Sequence, residues 1–112
     1  MDIAFQSRAL RDVCESEEML KAKFGEAVGM AIVRRLADLR AAVTIRDLMV
    51  GNPRKVLSGQ HPALCVDLVA GTTMLLRANH VRLPRRTGGT IPWAEVTRLK
   101  IISIGTIHGQ SS

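Results

Sequence analysis

Aromatic side chains are nearly missing from this chain: Phe5, Phe24 and Trp93 are all it has, and there is no tyrosine. Modules that grip a single nucleic-acid strand unaided stack its bases on exposed rings, so that mode of binding is excluded. The two cysteines and three histidines fall at no recognised ligand spacing, so no metal and no other cofactor is expected. The stretch Arg86-Thr87-Gly88-Gly89 lacks the lysine and the following helix of a phosphate-binding P-loop. No uncharged run approaches the ~20 residues that a membrane-spanning helix needs. The opening Met1-Asp2-Ile3-Ala4-Phe5 has neither the basic start nor the apolar core of an export signal. A cytoplasmic protein away from membranes is expected, with Cys14 and Cys65 reduced and buried as small hydrophobes.

Acidic residues are scarce in one half only. Residues 1–50 hold eight basic and eight acidic residues, whereas residues 51–112 hold eight basic residues against Asp67 and Glu95. The whole excess of +6 therefore sits in the second half. A field concentrated in this way commonly faces a polyanion, nucleic acid above all; a solvated face that only aids solubility is the alternative. Twelve of the sixteen cations are arginine, whose planar fork suits bidentate phosphate contacts.

At 112 residues the chain has room for one domain with one modest core. We place that domain at residues 1–109 and read 110–112 as a frayed tail. Ile3 and Phe5 alternate with polar neighbours, the pattern of a short opening strand. Ser7 is placed to cap a short helix carrying Leu10, Val13 and Cys14 on one face. Ser16-Glu17-Glu18 restarts the helix, and Leu20, Phe24, Val28, Ile32, Leu36, Leu39 and Val43 then recur at steps of three or four, which predicts one long amphipathic helix. Gly25 and Gly29 cost that helix stability, and their spacing predicts another element packed closely against it. Thr44-Ile45-Arg46-Asp47 has the form of a capping box with Asp for Glu.

Beyond Gly51-Asn52-Pro53 the character changes. Val56-Leu57 is followed by a turn, Ser58 to Pro62. The apolar runs Ala63–Val69 and Thr72–Ala78, separated by Ala70-Gly71, read as an antiparallel hairpin. A basic loop from Asn79 to Ile91 follows, then a helical turn at Pro92–Val96. Last comes a β-branched strand from Thr97 to Ile107, apolar on both faces as an interior strand is. Helices gathered ahead of a sheet predict an α+β fold, with the opening strand and two helices, the second long, on one face of an antiparallel sheet of four to five strands.

What remains for chemistry is a histidine–arginine–lysine set. His108 ends the last strand, His61 sits in the turn before the hairpin and His80 follows it; Arg54, Lys55, Arg77, Arg98 and Lys100 lie on or beside the same strands. Such residues suit metal-independent RNA cleavage, in which a 2′-hydroxyl attacks its own phosphate and needs a base, an acid and fixed cations.

The chain resembles the RelE/ParE superfamily of bacterial toxins, and within it the HigB-like killer proteins of type II toxin–antitoxin modules. The resemblance runs through the opening strand with Ser7-Arg8-Ala9-Leu10-Arg11, the helix end Arg35 to Ala42, and Leu57-Ser58-Gly59. It continues through Val66 to Gly71 and ends at Val96 to Ile101 with Ile107-His108-Gly109. It implies a RelE-like fold and a ribosome-dependent mRNA endonuclease, in which the ribosome holds the RNA and exposed rings are not needed. Only His108 matches the family's site, and proton transfer is expected of it; Lys55 and Arg77 are expected as transition-state contacts, and Arg54, His61, Arg85, Arg86, Arg98 and Lys100 as RNA contacts. The implied partners are a helix-turn-helix antitoxin, the ribosome and mRNA, with a homodimer or a heterotetramer with the antitoxin both open. A homodimer through the long helix would use the Gly25/Gly29 notch. The chain departs from the family pattern at Ser58, where a lysine is common, at Met74, where an arginine is frequent, and at Thr106 and Ile107 beside the terminal histidine. Those departures keep a second reading open: a catalytically degenerate member, acting as an antitoxin-bound regulator or as a ParE-like gyrase inhibitor.

Overall fold

Local capping sets the first half of the chain. The Ser7 hydroxyl accepts the Leu10 N–H at 3.1 Å and opens helix α1, Arg8–Cys14. Ser16 does the same for Met19 at 3.2 Å and opens α2, Glu17–Phe24, with Glu17 and Glu18 in its positive first turn. The computed structural model describes residues 1–80 and 91–106 of the chain. Within them, three helices and a five-stranded mixed sheet form an α+β fold.

The expected long helix is two helices. Gly25 adopts φ +88° and ψ 164°, so the chain turns there, and α3 runs Glu26–Ala41. The apolar period is the same on both sides of the break because both helices face one core. Gly29 is where they touch: a Cβ on it would meet backbone atoms of Leu20 and Lys21 at 3.1 Å. The close neighbour read from the glycine spacing is thus α2 of the same chain. At Gly29 the notch offered to a second copy is already filled, whereas at Gly25 it stays open. After α3, the Asp47 carboxylate accepts the Val43 and Thr44 N–H groups, both at 3.2 Å, and holds a single 3₁₀ turn at Ile45–Asp47.

The sheet contains β1 (Asp2–Phe5), β2 (Arg54–Ser58), β3 (His61–Asp67), β4 (Thr72–Ala78) and β5 (Arg98–Thr106), in the order β1-β5-β4-β3-β2. Pairing is antiparallel from β2 through β5, but β1 joins β5 in parallel, so the sheet is mixed where an antiparallel one was expected. The helices intervening between β1 and the rest allow that parallel contact, which a hairpin cannot make. The first hairpin is tighter than expected, because His61 and Pro62 already pair with Ser58 and Leu57. Trp93–Glu95 forms the expected helical turn, and β5 is the interior strand.

Register sorts the side chains into two faces. Leu64, Val66, Met74, Leu76, Leu99 and Ile101 fall on one face and join Leu20, Ile32, Leu36, Leu39, Trp93 and Val96 in the core. A bulge opposite Leu75 and Leu76 takes up one extra residue of β5, which lets both Ile101 and Ile104 point the same way. Arg35 locks α3 to the sheet: it donates to the Asp67 carbonyl at 3.2 Å and to the Asp38 carboxylate at 2.9 Å. The Met1 amino nitrogen donates to the Leu39 and Arg40 carbonyls at 3.1 and 3.2 Å, and to that of Ala42, tying β1 to the end of α3.

Candidate nucleic-acid interface

The face of the sheet turned away from the helices carries most of the expected site. By register, Arg54 and Ser58 of β2, His61 and Asp67 of β3, Arg77 of β4, and Arg98 and Lys100 of β5 share it. Its floor is made of small residues. Ala63 and Cys65 lie on this open face yet are 0 % and 3 % exposed, and the Arg54 guanidinium lies over the Cys65 sulfur.

Arg77 reaches furthest. From β4 its Nη2 extends over β3 to the Ser58 hydroxyl on β2, at 3.5 Å. Its Nε is buried and has no hydrogen-bond partner among the described residues. A buried donor left without a partner costs on the order of 1–3 kcal/mol. Lys100 stands directly opposite Arg77 in the β4–β5 register. The Arg77 guanidinium extends toward β2 and so away from Lys100 on β5, and no ion pair joins either cation to a carboxylate among the described residues.

Other cations on the face are already engaged. Arg54 Nη2 lies 2.9 Å from the Asp67 carboxylate, and the same group donates to the Cys65 sulfur at 3.3 Å. The Arg54 hydrogen bond holds the Asp67 carboxyl below the usual carboxylate range and pushes the guanidinium up. Arg98 forms a looser contact with Asp2, 3.6 Å, with both side chains exposed. His61 is exposed at the end of the same face, paired in register with Ser58. His80 belongs elsewhere: its Nε2 accepts the Thr97 N–H at 3.0 Å, which holds the ring in a structural role where β5 begins.

Lys55 is not with Arg77. It pairs with Leu64, so it projects on the helix side of the sheet, where it lines an apolar groove with Leu57, Pro62, Ile91 and Trp93. Met74 is 0 % exposed in the core, where a cation could not stand. Ser58 lies on the open face and receives the Arg77 guanidinium, so a cation reaches the position where the resemblance expects a lysine. Arg85, Arg86 and His108 lie outside the described residues. The residues that sequence reasoning missed are Asp67, which ties up Arg54, and the small Ala63 and Cys65 beneath the cations. An alternating strand with alanine and cysteine at successive outward positions was the available signal.

No protein-family model matches the chain, and no curated protein or solved structure matches it. The functional reading therefore rests on this geometry and on the resemblance. Among the described residues no cluster of His, Cys, Asp and Glu could hold a metal ion, and no helix is long and apolar enough to cross a membrane.

Proposed function

We propose that the chain is the toxin of a type II toxin–antitoxin module, a RelE-like, metal-independent endonuclease that cleaves mRNA on the ribosome at the open face of its sheet. The observation that supports this most is the pair of cations that neighbouring strands place on one face, Arg77 and Lys100, neither of them paired with a carboxylate among the described residues. An RNA phosphodiester placed there would have its 2′-hydroxyl attack the adjacent phosphorus. A base takes the hydroxyl proton, the bond to the 5′ oxygen breaks, and an acid protonates that leaving oxygen. The products are a 2′,3′-cyclic phosphate and a 5′-hydroxyl. Arg77 and Lys100 would hold the charge that grows on phosphorus-bound oxygens. The resemblance gives the proton transfer to His108, and the basic character of the second half of the chain gives RNA backbone contacts to Arg85, Arg86, Arg98 and His61.

Adding purified protein to translating ribosomes and mapping the mRNA ends tests this. Cleavage is expected, and Arg77→Ala should slow it by ~10²–10³, the usual cost of one transition-state donor. Intact mRNA at protein excess overturns the nuclease reading. The placement of Lys55 on the other face and the capture of Arg54 by Asp67 favour the second reading, a non-nuclease held by a helix-turn-helix antitoxin or acting on gyrase. Expression in bacteria separates the two. Growth arrest with mRNA loss supports the nuclease, and arrest with DNA damage supports the gyrase poison. No arrest supports a regulator.

A further inference from the structure

A cleft off the open face wraps the outer edge of β1. It has a volume of about 740 Å³ and is lined by three arginines, Arg8, Arg11 and Arg40, with Ser7 and Gln6 beside them. Cavities of this size are those that take ligands of small-molecule or nucleotide dimensions. Arg8 opens α1 and Arg11 follows one turn later, which puts both on one side of that helix, while Arg40 comes from the last turn of α3. Glu15 is the single carboxylate of the lining. It sits 3.4 Å from Arg11 with both side chains about half exposed, 51 % and 53 %, a pairing that water screens strongly. Two positive charges are left over in the cleft.

The backbone adds donors. The N–H groups of Asp2 and Gln6 point inward, to Thr97 and Ile101 carbonyls of β5 at 3.0 and 2.8 Å. Strand alternation then turns the N–H groups of Ile3 and Phe5 outward, to the edge that the cleft follows. Ala4 connects the two regions: it lines the cleft and is the register partner of Lys100, which faces Arg77 across β4 and β5. Arg77, Lys100, Ala4 and the arginine cleft therefore form one continuous path from the open face over the β1 edge.

We infer that the cleft formed by Arg8, Arg11 and Arg40 is a second phosphodiester-binding subsite, which holds a single RNA strand where it leaves the Arg77–Lys100 face. The inference rests on the nucleic-acid reading of that face and adds residues from the half of the chain without net charge. The walls are mainly guanidinium, hydroxyl and amide groups, with Ile3, Ala4 and Phe5 supplying the apolar remainder, which suits a phosphate backbone better than the side chains of a protein partner.

The test is the salt dependence of binding a fluorescent poly(U) strand, measured by anisotropy. Each phosphate contact on a single strand contributes ~0.7 to the slope of log K against log salt. The triple variant Arg8→Gln/Arg11→Gln/Arg40→Gln should lower that slope by ~2 and weaken binding at every salt concentration. A control triple, Lys21→Gln/Lys23→Gln/Arg34→Gln, removes the same charge from helix surfaces outside the cleft and should leave the slope nearly unchanged. If the cleft triple does not fold by circular dichroism, Arg8→Gln alone carries the test, with an expected slope loss of ~0.7. Equal losses in both triples, or an unchanged slope in the cleft variant, overturn the subsite while leaving the open face standing. Absence of salt-dependent RNA binding by the unaltered protein overturns the subsite, whereas the nuclease reading stands or falls with mRNA cleavage on ribosomes.

Discussion

Cys14 and Cys65 are both buried thiols, but they lie on opposite sides of the sheet. Cys65 is roofed by Arg54 on the open face, and Cys14 closes α1 against the core. Burial pushes the Cys14 thiol from its ordinary value of 9.0 up to about 11, with nearby Arg40 opposing that rise only in part. The unfolded chain ionises this thiol first as pH rises. Its contribution is therefore fully present below pH 9 and is lost between pH 9 and about 11. At its largest that loss is about 3 kcal/mol. Urea denaturation at stepped pH should show an alkaline fall in stability that Cys14→Ala reduces, and iodoacetamide at neutral pH should leave Cys14 unmodified until the protein unfolds.

At the scale of elements, the turn at Gly25 decides how the helices meet. Its φ of +88° with ψ of 164° belongs to a region that L residues essentially do not enter. Gly25→Ala should cost about 1–3 kcal/mol, read as a lower urea midpoint with an unchanged slope, as for backbone strain that leaves the exposed surface alone. The sequence showed the helical caps at Ser7 and Ser16 and the hairpin around Ala70-Gly71, because each is decided within four residues. It did not show the Gly25 break, since apolar residues continue at helical spacing on both sides and nothing local demands a positive φ. Nor did it show the face of Lys55: Arg54 to Ser58 is a short edge strand with Leu57 73 % exposed, so its hydrophobic pattern does not announce which side is inward. The bulge in β5 and the parallel seating of β1 depend on partners far along the chain. The cations on the open face were legible as residue types, and their convergence became visible only through the register.

The charge of the whole molecule is uneven in space as well as in sequence. Asp67 is the carboxylate that holds Arg54 to the open face, and Asp2 meets Arg98 at the far side of the sheet. The lowered Asp67 carboxyl contributes stability that is present above its unfolded value and is lost as pH falls through the folded one. Both partners are more than a third exposed, so that contribution is small. Asp67→Asn should flatten the acid side of the stability profile slightly. Because it releases Arg54, it should also tighten RNA binding and steepen the salt slope by ~0.7, measured by the same anisotropy titration.

The parallel seating of β1 on β5 has a consequence for how the molecule comes into being. Residues 2–5 find their hydrogen-bonding partners only at residues 98–101. A ribosome emits the first strand and all three helices long before the strand that completes their sheet. Contacts this far apart in sequence are slow to close. Until β5 emerges, Ile3 and Phe5 have no neighbouring strand, and the Arg77–Lys100 pair does not exist. The juxtaposition of Arg77 and Lys100 therefore forms in one step, when β5 joins β4.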